Sequence, residues 1–132
     1  MFKLVNRFST FNQSIEQILG TDNEAYTQGE ALVLTSGRLT KCGATATPEF
    51  ISVKAQAAES TAVTPIAVLR VQEDMVFSTT STATVAATLV GAKVTLHTDG
   101  ATVTATTSSG VATIVSTDGK TTNSNVTVSF RR

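Results

Sequence analysis

Tryptophan is absent from this chain of 132 residues, and cysteine, histidine and tyrosine occur once each. A single thiol forms no intramolecular disulfide, and Cys42 with His97 falls short of the three or four ligands a structural zinc needs. Neither a cross-link nor a transition metal is therefore expected to hold the fold. Charge is scarce as well: 15% of residues are ionic, and ten basic side chains balance ten acidic ones. No basic field exists for a polyphosphate, which excludes nucleic acid as an expected partner. Long apolar runs are missing too. Stretches such as Ile66-Ala67-Val68-Leu69 are far below the roughly 20 residues that cross a bilayer. No charged segment followed by an apolar one and a cleavage site opens the chain, so neither a membrane span nor a signal peptide is expected.

What is present points one way. Thr occurs 25 times and, with Ala and Val, dominates the chain; branched side chains favour the pleated sheet, where they lose little freedom. The length suits one domain that needs no staple. The expected fold is all-β, a small antiparallel β-barrel or β-sandwich over residues 26–132, preceded by an N-terminal arm or short helix over residues 1–25.

The arm holds Phe2, Phe8 and Phe11, three of the six Phe. Ser9 or Thr10 is placed to cap a helix carrying Phe11, Ile15, Ile18 and Leu19 on one side, with Gly20 ending it. From Glu30 the period changes to two: Leu32 and Leu34 alternate before Ser36-Gly37, and Leu39 follows, which is a hairpin pattern. Phe50 to Ala55 reads as a half-buried strand. Ile66 to Val71 reads as a strand buried on both faces and as the centre of the core. The Ser/Thr run from Ser78 to Thr84 suits an edge or a loop. Beyond it, Asp99-Gly100 and Asp118-Gly119 punctuate alternating segments as hairpin turns, and Val126, Val128 and Phe130 share one strand face. Gly29, Gly37, Gly43, Gly91, Gly100, Gly110 and Gly119 each suit a turn with positive φ.

No arrangement in the sequence points to catalysis. His97 and Asp99, two residues apart beside a glycine turn, are the only start of a nucleophilic triad, and no Gly-x-Ser-x-Gly elbow accompanies them. Glu73 and Asp74 are adjacent, so on a strand they point to opposite faces and cannot flank one glycosidic bond. No glycine cluster cradles a phosphate. Cys42 reads as a small half-buried residue, since Lys41 alone is a thin basis for a reactive thiol. No cofactor, metal or small-molecule substrate is expected. The sequons at Asn12 and Asn125 are of a kind common by chance in a Thr-rich chain.

One resemblance runs through Tyr26-Thr27-Gln28-Gly29-Glu30-Ala31-Leu32-Val33-Leu34, Leu39-Thr40-Lys41-Cys42-Gly43, Pro48-Glu49-Phe50-Ile51, Ile66 to Val71, Phe77, Gly91 to His97, Asp99-Gly100, Val103 to Thr106 and Gly110-Val111-Ala112. Over residues 26 to about 130 the chain resembles the small all-β decoration, cement or auxiliary capsid proteins encoded among the head genes of tailed bacteriophages. The resemblance implies a structural head protein of the virion, made in the host bacterial cytoplasm. Such a protein binds the outer surface of the capsid, often at three-fold positions, and holds major capsid protein subunits together, either as a homotrimer or as a monomer docked on the shell. It carries over no catalytic residues. Phe2, Phe8, Phe11 and Ile15 are then the expected partner-binding residues, and deleting residues 1 to 12 is expected to leave the domain folded while abolishing shell binding. Ala92 to Phe130 is also similar to the second half of bacterial immunoglobulin-like modules, which implies an adhesion or fibre-associated role as the alternative.

Overall fold

A computed structural model describes residues 1–7 and 15–130. Ten strands form in chain order: β1 (Lys3–Arg7), β2 (Ile15–Leu19), β3 (Ala31–Thr35), β4 (Arg38–Lys41), β5 (Phe50–Ser52), β6 (Pro65–Arg70), β7 (Met75–Thr80), β8 (Lys93–Val94), β9 (Ala112–Thr117) and β10 (Asn125–Ser129). A single 3-10 turn at Ala87–Leu89 is the only helical element among the described residues. The strands make two five-stranded sheets, ordered β1-β7-β10-β9-β8 and β2-β6-β5-β3-β4, with every strand pair antiparallel. The result is sandwich-like. The second sheet curls until Gly20 and Leu39 meet in one parallel bridge, short of a closed barrel.

Local chemistry accounts for several elements. In the β3–β4 hairpin Leu34 pairs with Leu39 and Thr35 with Arg38, which leaves Ser36-Gly37 as a two-residue loop with φ of 52° and 79°. Two positive φ values match the right-handed twist of the flanking strands, and Gly37 adopts one without steric cost. In β6, Ile66 and Val68 are buried on one face and Leu69 on the other, as expected for a strand covered on both sides. In β10, Val126 and Val128, with Phe130 just beyond the strand, are all buried on the core side.

Alternation along the second sheet gives it two apolar faces. Ala31, Ile51 and Leu69 join the main core between the sheets, where Phe77 and Phe130 lie with ring centroids 5.6 Å apart and Phe2 sits edge-on to Phe130 at 5.4 Å. Leu32, Leu39, Phe50, Ile66 and Val68 point the other way and form a second small core with Tyr26. The Tyr26 hydroxyl donates to the Leu39 carbonyl at 2.8 Å and accepts from the Thr21 N–H at 2.9 Å, so its polar end is satisfied where it is buried. Phe50 to Ser52 is consequently buried throughout, instead of half-buried as its alternation suggests.

Four expectations are corrected. The helix through Ile15, Ile18 and Leu19 is strand β2, paired with β6 from Ile15–Leu69 to Leu19–Pro65; two turns of helix are marginal alone, whereas the strand gains a full ladder. Residues 1–25 do not form a separate arm, because β1 lies in one sheet and β2 in the other. The segment from Ser78 is not an edge: β7 lies inside its sheet, between β1 and β10. Asp118-Gly119 is not a tight turn either, since β9 and β10 pair from Thr117–Val126 and a longer loop joins them.

Gly110 departs from its expected reason as well, because it is absent from the positive-φ glycines. A Cβ built on it would stand 2.2 Å from the Lys93 carbonyl oxygen and 2.8 Å from the Val94 nitrogen. Those are backbone atoms of β8, and β8 cannot retreat without breaking its bonds to β9. Gly110→Ala is expected to cost about 3 kcal/mol through this overpacking, measured as a lower urea midpoint at unchanged slope.

Candidate functional site

The residues singled out for catalysis are each engaged locally. Asp99 accepts from the backbone N–H groups of Ala101 at 2.9 Å and Thr102 at 3.1 Å, and from the Thr102 hydroxyl. Burial pushes its carboxyl up, but these hydrogen bonds outweigh burial and hold it below the usual Asp range. His97 closes the same turn through its backbone, donating to Thr102 and accepting from Gly100. Glu73 and Asp74 stand in the turn between β6 and β7. Asp118 is held down to about 2, chiefly by the Asn125 side-chain amide at 2.8 Å and then by the Lys120 N–H. Cys42 is buried, and desolvation raises its thiol to about 12. No group of three or more His, Cys, Asp or Glu able to hold a metal occurs among the described residues.

Two depressions mark the surface. The larger, about 600 Å³, lies over the outer face of the first sheet and is lined by Lys3, Ser78, Thr80, Ser116, Asn125 and Thr127, among others. Strand pairing sets this row: Thr127 stands opposite both Ser78 and Ser116, and Lys3 opposite Ser78. The Ser116 and Thr127 hydroxyls bond to each other at 2.5 Å. The smaller groove, about 250 Å³, opens between β1 and the second sheet over Leu4, Ile51, Val53, Leu69 and Phe77. It is apolar because the main core reaches the surface there.

The expected partner-binding residues separate on this geometry. Phe2 is 3% exposed and its backbone N–H donates to the Gly29 carbonyl at 2.9 Å. It is therefore a core residue and no surface anchor, because the ring is already spent on Phe130. Ile15 is 49% exposed and stands opposite Leu69, so it extends the rim of the apolar groove. Phe8 and Phe11 lie outside the described residues. Leu4, 38% exposed at the same groove, was not singled out by sequence; its exposure follows from a register shift between Leu4 and Asn6 in the β1–β7 pairing. Leu4, Ile15 and Leu69 thus make one partly exposed aliphatic patch on neighbouring edge strands.

Searches of family models, curated proteins and solved structures find no match to this chain.

Proposed function

We propose that this protein is a structural component of a tailed-phage virion that docks on the outside of the capsid and stabilises or decorates it. The resemblance over residues 26 to about 130 suggests the role. The observation that carries it into the structure is the aliphatic patch of Leu4 and Ile15 beside the groove over Leu69, on the two edge strands β1 and β2. An edge strand bearing exposed aliphatic side chains is a natural docking element, and the neutral, hydroxyl-rich remainder of the surface suits a repeated, inert exterior. The partner is the major capsid protein. Many copies on one lattice stabilise it even where each contact is weak.

Co-sedimentation of the whole protein with mature shells lacking this gene product tests the reading. Saturable binding at a fixed ratio to the major capsid protein, with shells surviving higher temperature, is expected. The double variant Leu4→Thr, Ile15→Thr keeps strand propensity and removes apolar contact, so it should stay folded and bind roughly 10- to 100-fold more weakly. Undiminished binding by that variant would remove the patch from the interface. Binding to host cells in place of shells would favour the adhesion module, for which the hydroxyl-lined depression over the first sheet is the available surface.

A further inference from the structure

Glu30 is 2% exposed, at the point where β3, β5 and the turn at 97–102 meet. Its backbone is tied on both sides: the Glu30 N–H donates to Ser52 Oγ at 2.9 Å, the Ser52 N–H donates to the Glu30 carbonyl at 3.0 Å, and Ser52 Oγ in turn donates to the Thr27 carbonyl. The next N–H, that of Ala31, donates to the Gly100 carbonyl at 2.8 Å. Gly100 comes so close that a Cβ there would stand 3.1 Å from Glu30 Cγ. The N-terminal strand joins the same seam, because Phe2 bonds Gly29 and the Met1 amino group donates to Ala101 at 2.7 Å.

The carboxyl itself has few partners. The Thr27 N–H donates to Oε2 at 3.2 Å, and Lys41 Nζ lies 3.6 Å from Oε1 with its own side chain half in solvent. The charged groups around it are Lys41 on β4, which favours ionisation, and Glu24, whose like charge opposes it. On the 97–102 turn Asp99 is bonded to its own turn. Ser52 on β5 is neutral. We infer that Glu30 is a pH-sensitive latch on this seam, holding β3 to the 97–102 turn and the N-terminal strand more firmly when its carboxyl is protonated than when it is ionised.

The direction follows from linkage. Burial is the largest influence and raises the carboxyl above the ordinary 4.5, against the Thr27 and Lys41 contacts. The folded state then holds this proton more tightly than the unfolded chain does. The stabilisation is complete below the unfolded value and is lost as pH rises through the folded one. Glu30→Gln keeps an acceptor for the Thr27 N–H and carries no charge to desolvate.

Urea unfolding of the full chain and of E30Q between pH 4.5 and 7.5 tests the latch, and the difference between the two cancels the opposite contributions of Asp99 and Asp118. The wild-type midpoint should shift to lower urea relative to E30Q as pH rises. Amide exchange at Ala31, corrected for its intrinsic pH dependence, should accelerate several-fold in the wild type only. Parallel midpoints and equal exchange would overturn the inference. Should E30Q fail to fold, the carboxyl carbon shift of Glu30 in the wild type decides: titration above 4.5 supports the latch, and titration at or below it removes the latch. Neither result depends on shell binding, so the latch and the proposed function stand or fall separately.

Discussion

Removing residues 1 to 7 is expected to destabilise the domain by at least about 4 kcal/mol, the upper range for truncating one buried Phe ring to Ala, and so to leave it largely unfolded at physiological temperature. The truncation deletes all of β1, which pairs with β7 from Lys3–Ser78 to Arg7–Met75, and it deletes Phe2 from between Phe130 and the edge of the second sheet. Phe77 and Phe130, both fully buried, would lose their cover, and β7 would become an unpaired edge bearing Val76 and Phe77. A domain of this size has roughly 5–15 kcal/mol in total, so the loss is a large share of it. Urea unfolding followed by far-ultraviolet circular dichroism checks the outcome, with Phe2→Ala as the milder companion expected to lose about 3–5 kcal/mol. A truncated protein as stable as the full chain would contradict the burial of Phe2. The same result bears on function: deletion of residues 1 to 12 cannot separate docking from folding, and the substitutions at Leu4 and Ile15 can.

Alkylation of Cys42 in the native protein should be roughly a thousandfold slower at pH 8 than in the urea-unfolded chain. Only the thiolate reacts. A thiol raised to about 12 is ionised in roughly one molecule in ten thousand at that pH, against about a quarter of molecules for an ordinary thiol near 8.5. Burial is the main cause, with the Glu49 carboxylate adding to it. The sulfur also donates to the Ala46 carbonyl at 3.0 Å, a bond the thiolate cannot make. Timed labelling with iodoacetamide, read by mass, measures both rates. Native labelling within tenfold of the unfolded rate would mean that the segment around Cys42 opens readily, and labelling would then report local opening rather than thiol chemistry.

The patch proposed for docking was only partly legible in the sequence. Ile15 was singled out and does lie on the surface, but as a strand residue opposite Leu69, not on a helix. Leu4 gave no signal, because whether an edge-strand side chain faces core or solvent depends on the register shift beside it. Phe2 pointed the wrong way: an aromatic near a chain end serves equally as an external anchor or as core, and only the position of Phe130 decides between them. Glu30 gave no sign of burial, since a lone carboxylate next to a turn glycine is ordinarily solvated.

Where neighbouring residues carry the decision, the sequence by itself determined the structure. Ser36-Gly37 closes the β3–β4 hairpin because two adjacent positive φ values are a local requirement, and β6 is a strand buried on both faces because its apolar run is short and unbroken. Tertiary structure alone decided the fate of residues 1–25 and the division of the core. Ile15, Ile18 and Leu19 fit the helical period and the strand period equally well over so short a span, and what separates the two is a ladder to β6, some fifty residues away in the chain. The second core around Tyr26 and Phe50 likewise exists because the β2–β4 sheet curls on itself, and curvature is a property of the assembled sheet, not of any one of its strands.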